Sequence, residues 1–381
     1  MILTNEQRSA VRYWLPGITA GAVAWLMFMT LGQTSIIRAS GLALVIIGMT
    51  MTLRRWGAVL AFIGGLALAL SPTFWSQMGG TDSLSVPVTV LVLCITGALT
   101  LLIIRFSRHW FFGLIIGFAI FSALFWSQLS TQGSLRLTTL ATAWLLYLLV
   151  DAQFITNPHP GDPPAALLQP RHTLGMLILL TVGVINTPLF ILLVPAVILG
   201  LVLARARLSW LYWLGMGLIL IAGLYGIATE YISSTWWSYP AAQAQAQGFR
   251  VPFMLADGWR EAVRWVNLVN LVVEQFTVFG VVLGIIGLSR LARWYPPLGT
   301  VTMIAYAAHV LFGLAYFGRD SAVLLLPLMM IQILWMTYAI YAFGEWLQRS
   351  VNLPNYPLRW FAPALYVWLP LLMLARITGT L

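Results

Sequence analysis

Apolar runs of about 15 to 22 residues succeed one another along the chain, and short polar stretches between them hold most of the arginines and prolines. A helix crossing a hydrocarbon core about 30 Å thick needs about 20 such residues, so each run predicts a transmembrane helix. Thirteen runs are read on this basis: Trp14–Leu31, Ala39–Leu53, Gly57–Leu70, Val86–Ile104, Trp110–Phe125, Leu135–Val150, Leu174–Ile185, Leu189–Ala204, Trp210–Ala228, Leu268–Leu288, Val301–Phe317, Ala322–Phe343 and Pro363–Leu374. The two-residue alternation of a membrane β-barrel is absent. The expected fold is therefore an all-α polytopic membrane protein with 12 or 13 transmembrane helices, forming a single integral domain over residues 1–381. Pro72 lacks an N–H and fixes φ, so the third helix should end or bend near Ser71. Phe74 and Trp75 just beyond it are expected at headgroup depth, where aromatic rings collect. Gly64–Gly65 and similar pairs suit close helix packing in lipid.

Two connections are long. Residues 151–172 are rich in proline (Asn157-Pro158-His159-Pro160-Gly161-Asp162-Pro163-Pro164), which favours turns or polyproline II. Residues 229–265 carry Trp236-Trp237, the run Ala241 to Gln247 and then Asp257 to Trp265. In that last piece Trp259, Val263 and Val266 share one face and Arg260, Glu261 and Arg264 another, which predicts an amphipathic helix lying on the outer surface.

Composition sharpens this picture. Hydrophobic residues make up 60% of the chain and charged ones 8%, with a mean hydropathy of +0.90, against about 25% charged in soluble domains. All 20 basic residues are arginine. They come in ones and twos between apolar runs, a spread that sets topology and does not resemble a nucleic-acid footprint. With a cytoplasmic N-terminus, thirteen arginines (8, 12, 54, 55, 105, 108, 171, 205, 207, 290, 293, 349, 359) fall inside and seven (38, 136, 250, 260, 264, 319, 376) outside, as the positive-inside rule demands. The 151–172 loop is then cytoplasmic and the 229–265 loop external. The first run has no small-residue cleavage site beside it and is read as retained. The one cysteine, Cys94, excludes an intrachain disulfide and cysteine-based zinc or iron–sulfur sites. No cofactor and no metal is expected, and the expected partners are membrane lipids and other membrane-protein subunits, with no nucleic acid.

Polar groups inside or beside apolar runs are the candidate functional residues. Glu274 stands one turn from Asn270, either as a hydrogen-bonded neutral pair or as a proton-handling site. His309 lies inside the eleventh run, where a hydrogen bond to a neighbouring helix competes with ligand binding. Asp82 either caps the fourth helix beside Ser83 and Ser85 or belongs to a site. Arg319–Asp320 either form a local ion pair or meet a phosphate, for which Arg260 and Arg264 are further candidate cations.

Three pieces of the chain resemble the GT-C superfamily of membrane glycosyltransferases, in the branch related to protein O-mannosyltransferases. They are Ala69-Leu70-Ser71-Pro72-Thr73-Phe74-Trp75-Ser76-Gln77; Leu179 to Pro195 with its break Asn186-Thr187-Pro188; and Tyr316-Phe317-Gly318-Arg319-Asp320 with Pro327. The resemblance implies a GT-C-like helical fold in a cell membrane of bacterial inner-membrane type, and a transferase that uses a polyprenyl-phosphate sugar. The chain also departs from the family. The family's long acidic first outer loop is reduced here to Gly32 to Arg38, without carboxylate or histidine. Asp82 stands where a glutamate is usual, and Asn186-Thr187-Pro188 stands where a histidine is common. A positioned general base contributes about 10² to 10⁴ in rate. The sequence is therefore read as a non-catalytic accessory or scaffolding subunit of a larger membrane complex. The alternative is an active transferase with Asp82 as its catalytic carboxylate.

Overall fold

The computed structural model describes residues 5–79, 86–107, 113, 115–117, 119–121, 133–158, 165–230, 253–254, 257–318, 320–351 and 360–380. The described chain is helical almost throughout, since an α-helix satisfies its own backbone polar groups where water is absent. The helices are α1 (Asn5–Thr30), α2 (Ile36–Leu53), α3 (Ala58–Ala69), α4 (Pro72–Ser76), α5 (Val86–Ser107), α6 (Gly133–Thr156), α7 (Pro170–Asn186) and α8 (Val194–Leu203). They continue with α9 (Trp210–Glu230), α10 (Ala262–Trp294), α11 (Pro296–Ala315), α12 (Ser321–Leu324), α13 (Leu326–Val351), α14 (Phe361–Tyr366) and α15 (Trp368–Ile377). Proline opens the first turn of α4, α7, α8 and α11 and of the 3₁₀ segment Pro188–Leu193, where a missing N–H costs nothing.

This is an all-α, multi-pass membrane protein. Among the described residues six helices are long and apolar enough to cross a bilayer, where the sequence led to thirteen. Of the other runs, Ala58–Ala69, Pro188–Leu203 and Phe361–Ile377 form shorter apolar helices, and most of Trp110–Phe125 lies outside the described residues.

The helices run between two ends of the bundle, fixed by hydrogen bonds across it. At one end Arg55 meets Asp151, and Tyr295 donates its hydroxyl to Gln153 O (2.7 Å) and Asn157 O (2.6 Å). At the other end Arg136 and Arg264 reach backbone carbonyls, described below. These are called the Arg55 end and the Arg136 end.

Helices α13 and α2 form the centre: 83% and 78% of their spans are buried inside the protein, against 17% for α9. Close approach of α10 to α13 depends on Gly280, Gly284 and Gly287. Gln332 Nε2 donates to Gly280 O at 3.0 Å, and a Cβ on Gly287 would overlap the Trp335 carbonyl. Gly64 serves the same end in α3, where a Cβ would stand 2.6 Å from Leu53 Cδ1 and 2.8 Å from Thr337 Oγ1.

The piece Asp257 to Trp265 is not a separate interfacial helix. A 3₁₀ turn, Gly258–Arg260, ends at Glu261 (φ −82°, ψ 113°), and Ala262 then begins the 33-residue α10. Gly258 sits on the Leu314 carbonyl, which anchors the turn to α11. Strand β1 (Phe253–Met254) pairs antiparallel with β2 (Tyr316–Phe317), tying the end of the long loop to the same place. Trp236 and Trp237 and most of that loop lie outside the described residues, as do residues 159–164 of the proline-rich connection.

Candidate functional site

The Arg136 end is built around α4. Helix α3 stops at Ala69 and Pro72 starts α4, as the proline predicts. Ser71 occupies the N-cap position but its hydroxyl bonds back to Leu68 O (2.9 Å), so it does not cap. The N–H of Thr73 is taken instead by Gln275 Oε1 at 2.8 Å, from α10, 202 residues away. At the other terminus Arg136 donates from Nε to Gln77 O (2.6 Å) and from Nη2 to Gly79 O (2.7 Å). Arg38 donates from Nη1 to Met78 O (2.9 Å) and Gly79 O (3.0 Å). Arg38, Arg136 and Gln275 are 4%, 1% and 3% exposed, so these bonds are shielded from water and strong for it. Phe74 is wholly buried against Phe28 (centroids 6.1 Å).

The second and third pieces of the resemblance meet each other at this end. Helix α12 touches α4. A small cavity is lined by Leu135, Thr138, Thr187, His309, Leu324 and Pro327 among others. It has room for about one water-sized molecule. Asn186 Nδ2 donates to Thr138 Oγ1 (2.8 Å), which shares a hydrogen with Thr187 Oγ1 (2.9 Å). His309 is buried, and its Nδ1 bonds Ala305 O (2.8 Å) one turn back in α11, not a neighbouring helix as expected.

Tyr316 OH donates to Asp320 Oδ1 at 2.6 Å. Asp320 holds the N-cap position of α12 through its backbone carbonyl, with no side-chain cap. Arg264 directs its guanidinium to the carbonyls of Gly313, Leu314 and Tyr316 at the end of α11 and lies 3.3 Å from the centroid of the Phe317 ring. Arg260 is exposed and stacks over Trp259 at 5.0 Å. Arg319 and Asp82 lie outside the described residues.

Glu274 and Asn270 are both exposed on the face of α10 turned away from the bundle, and no hydrogen bond joins them. The expected pair fails because each side chain points to the surroundings while Val272, Gln275 and Phe276 turn inward. Among the described residues no group of three or more His, Cys, Asp or Glu could hold a metal.

Three features carried no sequence signal of function. Arg38 and Arg136 read only as topology markers, and Gln275 as one polar residue in an apolar run. At the Arg55 end Asp151 accepts from Arg55 (3.0 Å) and lies 3.6 Å from His172 Nε2. Comparison with protein-family models, curated proteins and solved structures finds no match.

Proposed function

We propose that this chain is a GT-C-like integral membrane subunit that scaffolds a larger membrane complex and does not itself transfer sugar. Its N-terminus is assigned to the cytoplasm on the strength of the arginine asymmetry, and its location to a bacterial-type inner membrane on the strength of the resemblance. The observation that carries the reading is the packing at the Arg136 end. Among the described residues the second and third segments resembling the GT-C family share the lining of a cavity that admits only a water-sized molecule, and α12 joins them to α4. A sugar on a polyprenyl phosphate needs a cleft of several hundred Å³. Four long polar side chains at this end are directed at backbone: Arg38, Arg136 and Gln275 at α4, and Arg264 at the end of α11. Extraction in a mild detergent is expected to recover the chain in fixed stoichiometry with other membrane polypeptides. A chain that migrates alone refutes the proposal.

The convergence of the second and third segments, with Asp320 and His309 beside them, favours the transferase as the second reading. Under it, Asp82→Asn abolishes transfer from a lipid-linked sugar; under the scaffolding reading, neither protein transfers.

A further inference from the structure

The Arg55 end carries a corner whose chemistry the scaffolding role leaves unused. Helix α8 closes with Arg205 in the left-handed region (φ 49°), where Arg205 N bonds Val202 O (2.9 Å) and Ala206 N bonds Leu201 O (3.0 Å). Asn157 Nδ2 holds Leu203 O from beside this turn (3.3 Å). On the other side of Asn157, Tyr295 donates to its carbonyl and stacks on Phe154 (centroids 5.0 Å). The end of α8 and the α10–α11 corner are thus pinned to the same few residues of α6. Arg205 and Arg207 project from the first, and Arg290 and Arg293 from the second. All four are exposed.

Two of the carboxylates at this end have partners of their own. Asp151 is held by Arg55 beside His172, and Glu345 by Arg349 at 3.4 Å. Glu6 stands in the first turn of α1, a helix that packs on α2 and α3. Asp162 lies outside the described residues. Exposed Trp210 (70%) and Trp294 (55%) flank the corner, the amphipathic rings that mark headgroup depth.

We propose that this corner is a binding site for the headgroup of an anionic phospholipid, its phosphate held among Arg205, Arg207, Arg290 and Arg293. Charge complementarity at headgroup depth selects this occupant. Guanidinium groups match phosphate oxygens in pairs, and basic pockets between transmembrane helices recognise anionic headgroups. Arginines that only set topology act during insertion and leave the finished protein indifferent to headgroup charge.

The test is native mass spectrometry of delipidated full-length protein titrated with phosphatidylglycerol, cardiolipin or phosphatidylcholine, with inorganic phosphate as a headgroup without its lipid. The double variants Arg205→Gln/Arg207→Gln and Arg290→Gln/Arg293→Gln are compared with wild type, with Arg260→Gln, exposed at the opposite end, and with the lysine variants at the same four positions. Expected is preference for the anionic lipids over phosphatidylcholine. At roughly fivefold per arginine, each glutamine pair should weaken that binding at least tenfold. Arg260→Gln is expected to match wild type, the lysine variants to retain most binding, and phosphate alone to compete poorly. Equal binding of phosphatidylcholine, unchanged binding in correctly melting glutamine pairs, or full displacement by free phosphate overturns the proposal.

Discussion

The bond from Thr73 N to Gln275 Oε1 allows a clean test of how the Arg136 end is held. The first turn of any helix leaves N–H groups without intrahelical partners. In α4 the residue placed to help, Ser71, points its hydroxyl at Leu68 O, and Gln275 takes over from another helix. Gln275 is buried, so Gln275→Met keeps most of the volume while stranding the Thr73 N–H away from water. A net hydrogen bond is worth about 0.5–1.5 kcal/mol and a stranded buried donor costs about 1–3 kcal/mol. The expected loss is therefore about 1–3 kcal/mol for Gln275→Met. Gln275→Ala adds a cavity and should lose about 2–4 kcal/mol. Stability is read from thermal unfolding in mild detergent. Local opening is read from maleimide labelling of a Met78→Cys reporter in a Cys94→Ser background. Met78 is 4% exposed, so labelling should be slow until the α4 segment loosens. If Gln275→Met melts with the parent and Met78→Cys labels no faster, Gln275 does not hold α4 and the reasoning fails.

Further predictions concern the helix that presents Gln275 and the opposite end. Thr277 interrupts α10 at φ 64°, ψ 173°, a conformation costly for a β-branched residue. Thr277→Gly should raise stability by about 1 kcal/mol in the same unfolding assay, whereas Thr277→Val should not. Gly287→Val puts a branched side chain onto the Trp335 carbonyl and should force α10 from α13, costing at least about 2 kcal/mol or preventing a folded monodisperse product in size-exclusion chromatography. Asp151→Asn breaks the contact with Arg55, whose side chain is 36% exposed, and should cost only about 1 kcal/mol, the more so at low salt; a salt-independent loss would contradict an ionic origin.

The sequence disclosed what depends on neighbours along the chain. Apolar runs gave helices, Pro72 gave the break after α3, and Gly64 gave a close crossing. What it hid depends on neighbours in space. Nothing local distinguishes Arg38 and Arg136 from the other solitary arginines between spans, yet they grip the carbonyls of Gln77, Met78 and Gly79. The amphipathic pattern after Asp257 was real, but a helix start and a surface helix share it. Only the long continuation to Trp294 separates them. The i−4 carbonyl of Ala305 was available to His309 from the outset, and lies nearer than any group on another helix.

The grip on α4 also sets an order of events. Its ties come from residues 38, 136 and 275, and the last is made 202 residues after the segment it closes. At about 5–20 residues per second, synthesis leaves the Thr73 N–H waiting about 10 to 40 s for its acceptor. A ribosome-bound nascent chain cut short before α10 should therefore have its early helices in the bilayer with this corner still unlatched.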